Sequence, residues 1–175
     1  RPGANISRGQ ISKVVSISAG FDEAPGGQVF EDVPPGSTFY PWIQRLALRG
    51  IMSGYACGGE AEPCVAAANR PYFRPSQPAS RGQLSKIVAN AAGASESVPP
   101  GTQTYADVQS NSPFWLYIER LSARSVIGGY PCGGAGEPCD GEARPYFRPE
   151  ANVTRAQAAK IVANTFFPSC DAAAP

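Results

Sequence analysis

The sequence predicts a mainly α-helical fold, assembled from tandem copies of one motif with long glycine- and proline-rich loops between short helices. Three observations carry this. The chain repeats itself at an offset of 75 residues, with Phe30 falling against Tyr105. One helix-start signature occurs three times. Glycine (19) and proline (18) are abundant in 175 residues, about a fifth of the chain against about 12% in average usage. The glycines follow no collagen period. With 42% hydrophobic and 17% charged residues, the chain is too apolar and too weakly charged for disorder.

The repeat runs through two whole copies. Phe30-Glu31-Asp32-Val33 aligns with Tyr105-Ala106-Asp107-Val108, Arg45-Leu46 with Arg120-Leu121, and Gly54-Tyr55 with Gly129-Tyr130. After a one-residue deletion, Arg70-Pro71-Tyr72-Phe73-Arg74-Pro75 meets Arg144-Pro145-Tyr146-Phe147-Arg148-Pro149. A partial copy opens the chain, where Arg1-Pro2 matches Arg74-Pro75 and Ser7-Arg8-Gly9-Gln10 matches Ser80-Arg81-Gly82-Gln83. Residues 1–21 read as the back half of a first motif, 30–93 as a second, 105–167 as a third and 168–175 as a tail, all within one composite domain. A unit of this length buries its apolar face against neighbouring copies.

Each whole copy carries two helix signals. The first spans Pro41–Gly50, with Phe39, Ile43, Leu46 and Ala47 at helical spacing and Gly50 as a C′ residue; its counterpart runs from Pro113 to Arg124. The second occurs three times. Ser7, Ser80 and Thr154 are N-caps, with Gln10, Gln83 and Gln157 three residues on, the capping-box spacing. Apolar residues then share one face: Ile11, Val14 and Val15; Leu84, Ile87 and Val88; Ala158, Ile161 and Val162. Tyr72-Phe73 and Tyr146-Phe147 suit short extended pieces, because Pro75 and Pro149 bias the residue before them away from helix.

Four of the five cysteines form two copies of one loop, Cys57-Gly58-Gly59-Glu60-Ala61-Glu62-Pro63-Cys64 and Cys132-Gly133-Gly134-Ala135-Gly136-Glu137-Pro138-Cys139. The six-residue gap does not suit a zinc knuckle, and no further ligand pair follows. Glycines and a proline let each loop turn back, so local disulfides Cys57–Cys64 and Cys132–Cys139 are expected. Closing eight residues stabilises by about 2.5 kcal/mol on the chain-entropy model, and such bonds persist outside the cytoplasm. Cys170 is left over, free or paired outside this sequence. The chain opens Arg1-Pro2-Gly3 with neither Met nor signal peptide, which reads as a mature or truncated form of an exported protein.

Composition removes several functions. There is no histidine, hence no Ser-His-Asp triad, Cys-His pair or His-ligated metal. The net charge is +1, with no Lys/Arg run to make a nucleic-acid stripe. No apolar run reaches the roughly 18 residues of a membrane span. No paired carboxylates recur at a repeated position, so no enzyme, cofactor or metal is expected. The acids Glu60, Glu62, Glu137, Asp140 and Glu142 gather around the Cys loops but fit no EF-hand; they read as solvated loop residues. Asn5-Ile6-Ser7 and Asn152-Val153-Thr154 match the N-glycosylation pattern but overlap the helix caps.

The ordered set Phe30-Glu31-Asp32-Val33, Gly50-Ile51-Met52-Ser53-Gly54-Tyr55, Phe73-Arg74-Pro75 and Ser80-Arg81-Gly82-Gln83, with its second copy ending Thr154-Arg155-Ala156-Gln157, strongly resembles the S-layer homology (SLH) family. The resemblance implies a pseudo-threefold helical assembly, each motif giving one central helix and a short-helix lobe. It implies grooves between motifs that bind acidic, often pyruvylated, envelope polysaccharide, and attachment of surface proteins to bacterial envelopes. The expected setting is therefore the bacterial cell surface. A structural subunit that associates with its own copies in an extracellular layer, sheath or filament is the alternative. Two departures stand out. The family's Thr-Arg-Ala-Glu ends here in glutamine, and the Cys loop lengthens the connection from Gly-Tyr to Phe-Arg-Pro.

For ligand binding the sequence offers Arg8, Arg81 and Arg155, each at the first position of a central helix. A cation there opposes the helix macrodipole at a cost of about 0.3–1 kcal/mol, so the threefold placement points to a nearby anion. That anion is either a glycan carboxylate or phosphate, held also by free backbone N–H groups, or an internal partner such as Asp32 or Asp107. Gln83, Gln157, Tyr55 and Tyr130 complete the candidate set. Lys13, Lys86 and Lys160, all at one repeat position, read as a solvated edge or as added groove charge. Tyr40, Trp42, Trp115 and Tyr117 are either sugar platforms or packing between lobe and helix.

Overall fold

A computed structural model of the chain describes residues 1–168; Cys170, and all of the expected tail but Pro168, lie outside them. Among the described residues the regular structure is five α-helices with isolated β-bridges and no sheet. The central helices are α1 (Arg8–Ser18), α3 (Arg81–Ala91) and α5 (Arg155–Phe166); the lobe helices are α2 (Tyr40–Leu48) and α4 (Trp115–Ala123). Each central helix starts in a complete capping box. The hydroxyl of Ser7, Ser80 or Thr154 accepts from the backbone N–H of Gln10, Gln83 or Gln157, and the glutamine Oε1 accepts from the cap's own N–H. The glutamine thus performs the reciprocal half of the box as well as a glutamate would.

The chain divides into two packing units. One is Ile6–Pro78, where α1 packs on α2. Its core includes Ile11, Val15, Phe30, Val33, Ile43, Leu46 and Phe73. The other joins Arg1–Asn5 to the chain from Ala79 on, and there α3 packs on both α4 and α5. Tyr105, Val108, Ile118 and Phe147 form its lobe cluster, with Phe114, Trp115 and Ile127 against it. In both units a central helix is joined to the lobe that follows it in sequence.

Backbone bonds fasten these joints. Arg8 and Gly9 N–H donate to Gln77 and Pro75 carbonyls at 2.8 and 2.9 Å, and Arg81 and Gly82 N–H donate to Ala151 and Pro149 at 2.9 and 2.8 Å. For α5 the acceptors are Ala4 and Pro2, at 2.8 and 3.0 Å from Arg155 and Ala156 N–H. The orphan donors that every helix start exposes are therefore satisfied by Arg-Pro corners from elsewhere in the chain. This corrects the expectation of free backbone N–H groups for an anion: the first three N–H groups of each central helix already have protein acceptors.

Both expected disulfides are formed, Cys57–Cys64 with Cα atoms 5.0 Å apart and Cys132–Cys139 at 4.9 Å. Each loop grows from a short antiparallel pairing, Tyr55 with Tyr72 and Tyr130 with Tyr146, so the extended Tyr-Phe pieces do form. Val14 departs from its expected inward position. It is 38% exposed, whereas its repeat partners Ile87 and Ile161 are 5% and 6% exposed.

Candidate functional site

The central-helix arginines do not share one environment. Arg81 is buried; its Nε donates to the Phe147 carbonyl at 2.8 Å and its Nη2 to Gly128 at 3.1 Å. The guanidinium lies 4.4 Å from the Phe147 ring centroid and 5.1 Å from that of Tyr130. Arg8 repeats this in the other unit, donating to the Phe73 and Ser53 carbonyls at 2.8 Å each beside Phe73 and Tyr55. Burial pushes both guanidinium groups below their ordinary pKa, but an arginine stays charged in a protein. Arg155 is exposed, and its side chain has no such cage.

Asp32 and Asp107 do not ion-pair with these arginines. Asp32 accepts the backbone N–H groups of Phe73 and Arg74 at 2.7 and 2.6 Å. Asp107 does the same for Phe147 and Arg148, again at 2.7 and 2.6 Å. These bonds hold Arg74 and Arg148 in the left-handed region, at φ of 59° and 60°, which a non-glycine residue rarely adopts. The turn swings a second guanidinium onto each tyrosine, with Arg74 4.0 Å from the Tyr55 centroid and Arg148 4.0 Å from that of Tyr130. Two cations thus sit against one ring in each unit.

A counterion from the Cys loop answers that charge. Glu62 binds Arg74 in a two-pronged pair, both bonds 2.7 Å; Glu137 binds Arg148 at 2.6 and 2.7 Å. The pairing holds both carboxyls below their ordinary pKa and raises the two arginines. Glu62, Glu137 and Asp140, expected as solvated loop acids, are all engaged in ion pairs.

A groove of about 270 Å³ opens beside the Arg81 cage, lined by Arg81, Val126 to Tyr130, Gln157, Lys160 and Ile161. Among the described residues no carboxylate lines it. Gln157 Nε2 donates to the Tyr130 hydroxyl at 2.9 Å, a bond that the capping box leaves it free to make. Gly129 is required here, since a Cβ would lie 2.8 Å from the Tyr105 ring and 2.9 Å from the Tyr146 carbonyl.

The other aromatics are committed to packing. Tyr40 donates its hydroxyl to Gly26 and Trp115 its indole N–H to Thr102, both at 2.8 Å. The two rings sit at one repeat position and do one job. Lys13 lies 4.5 Å from the Trp42 centroid and Lys86 5.5 Å from that of Tyr117, so these exposed lysines lie over rings.

The ordered features are now two copies of an acidic turn residue, a Gly-Tyr wall, a Phe-Arg-Pro corner and a capped helix led by arginine. The family model described as S-layer homology domain matches residues 29–85 and 104–159, more than half of the chain. The chain belongs to the S-layer homology family. SLH domains are cell-surface anchoring modules that bind envelope polysaccharides, and the family is non-catalytic. Both matched stretches run from the lobe into the first turns of a central helix. Among curated proteins no match is found. No described helix is long and apolar enough to cross a membrane.

Sequence reasoning missed Arg74 and Arg148 beside the candidate tyrosines, with their partners Glu62 and Glu137. A signal was available: Glu-Pro-Cys and Phe-Arg-Pro recur together in both whole motifs. Each pair is nonetheless separated by 12 or 11 residues of turns, which no periodicity spans.

Proposed function

We propose that this chain is a non-catalytic anchoring module that binds an acidic polysaccharide at the bacterial cell surface, with the groove beside Arg81 as a binding site. One observation carries the reading. A groove of about 270 Å³ is lined by two cations, an amide and a tyrosine beside aliphatic surface, and among the described residues by no acid. That lining suits a sugar bearing a carboxylate, whose C–H face rests on apolar side chains. Arg81 spends Nε and one Nη2 donor on carbonyls and still lines the groove. The Arg8 cage supports a second site of the same chemistry. Arg155, exposed and uncaged, adds charge with little geometric selection.

The test is co-sedimentation with purified bacterial wall polysaccharide, intact and after mild acid removes ketal-linked pyruvate. Binding to the intact polymer, with at least a tenfold loss for Arg81→Ala, about 1.4 kcal/mol, and less than threefold for Arg155→Ala, is expected. Equal binding to both polymers, or a wild-type protein that leaves the polymer in solution, would sink the acidic-glycan reading.

A further inference from the structure

The Cys loops have no part in the anchoring reading above, yet each sends one side chain to the wall of the site. We propose that Glu137, and Glu62 in the other unit, are positioning residues: each disulfide loop supplies the counterion that lets two arginines share one tyrosine, which in the case of Tyr130 walls the groove. The inference rests on the glycan reading for its consequence, and on geometry alone for the clamp.

The loop is built to hold that carboxylate still. In the second copy the disulfide closes Cys132 to Cys139. Inside it, Gly133 N–H donates to the Glu137 carbonyl at 2.7 Å and Glu137 N–H donates to Gly134 at 3.0 Å. The Tyr146 hydroxyl donates to Pro138 at 3.0 Å, and Tyr146 is itself paired with Tyr130 through two 2.8 Å backbone bonds. Disulfide, loop, Tyr146 and Tyr130 form one connected frame. The first copy repeats every part, with Gly58, Glu62, Pro63 and Tyr72 in the same places. Both whole motifs keep the same pair through the same contacts.

The chemistry explains why a carboxylate is needed. Two guanidinium groups lie against one ring in each unit, so they repel each other; burial is the main cause that lowers the pKa of Arg81 and Arg8, and Arg148 and Arg74 add to it. Glu137 is mostly shielded while Arg148 remains partly open. The bidentate fork fixes the guanidinium plane as well as its charge, which a lysine at that position cannot do. It also occupies the edge of Arg148 that a ligand carboxylate would use. The anion of the glycan is therefore read by Arg81 and not by Arg148, whose task is to hold Tyr130.

The test compares Glu137→Gln, Arg148→Lys and the pair Cys132→Ser/Cys139→Ser with wild type, by NMR without ligand and by wall-polysaccharide binding. Expected are shifts of the Tyr130 ring and Arg81 Nε–H resonances in all three variants, with binding weakened by about tenfold. In wild type, mild reduction should produce the same shifts and reoxidation should restore them. Tighter binding by Glu137→Gln would overturn the proposal, since it would make Arg148 a ligand reader held in check by the loop. Unmoved Tyr130 and Arg81 resonances would overturn it as well, even with a lower melting temperature. If wild type ignores the polysaccharide, the glycan reading falls, while the resonance shifts still decide the clamp.

Discussion

The three central helices carry the same start signature but differ in cover. α3 buries both Arg81 and Ile87. α1 buries Arg8 and leaves Val14 38% exposed, whereas α5 buries Ile161 and leaves Arg155 exposed. The lobe that follows α1 in sequence supplies the Arg8 cage from Ser53, Tyr55 and Phe73. The lobe that precedes α5 supplies Val126 and Ile127 beside Ile161. Within each unit, α1 and α3 take cover at the arginine from the lobe that follows, and α5 takes cover at its seventh residue from the lobe that precedes it. The capping box sets the helix; packing against a lobe sets whether its arginine is buried.

The largest expected effect tests the seventh position. Ile87→Lys places an unpaired charge at a buried site and should destabilise by on the order of 3 kcal/mol or more. The same change at Val14 should stay within about 0.5 kcal/mol. Chemical denaturation of both variants decides it, and equal losses would show that burial does not set the cost at this helix position.

Next comes the arginine. Arg81→Ala removes charge-assisted bonds and strands the Phe147 and Gly128 carbonyls, a loss of about 2–3 kcal/mol, while Arg155→Ala should cost less than about 0.5 kcal/mol. Thermal melts beside the binding assay separate the two roles of Arg81. A smaller contrast lies one residue on. A Cβ on Gly82 would stand 2.5 Å from the Phe114 ring, so Gly82→Ala should overpack the joint by about 1–3 kcal/mol. Its counterpart in α5 is already Ala156, exposed, and Ala156→Gly should cost no more than the helix propensity, about 1 kcal/mol.

These contrasts mark what was legible in the sequence. Capping boxes span four residues and disulfide loops eight, so local chemistry fixes both, and both form as read. The lobe helices form within a turn of their expected limits, Tyr40–Leu48 for Pro41–Gly50 and Trp115–Ala123 for Pro113–Arg124. Burial was less legible. Val14 shares the apolar spacing of Ile87, yet one is 38% and the other 5% exposed, a difference that spacing does not encode. The candidate arginines and tyrosines could be named from the sequence, but the contacts around them could not. Asp32 and Asp107 satisfy backbone donors across 40 residues or more, and the Glu–Arg clamps depend on how turns fold back, which spacing alone does not encode.

The smallest effect is a matter of pH, and it sharpens the comparison by sparing α5. The two-pronged pairing holds Glu62 and Glu137 below their ordinary carboxyl pKa. A depressed folded pKa means that the clamp's contribution is fully present above the unfolded glutamate value, near 4.3. It is lost as pH falls through the lower folded values. From pH 7 to 5 the Arg74 and Arg148 Nε–H resonances should therefore stay fixed, and they should move only in the acid range below that, together with the Tyr55 and Tyr130 rings. Arg155 has no clamp and should show no such transition. Titration of Arg148 at the ordinary glutamate value would mean that Glu137 is not held by the pair, and the cage around Arg81 would then owe nothing to the disulfide loop.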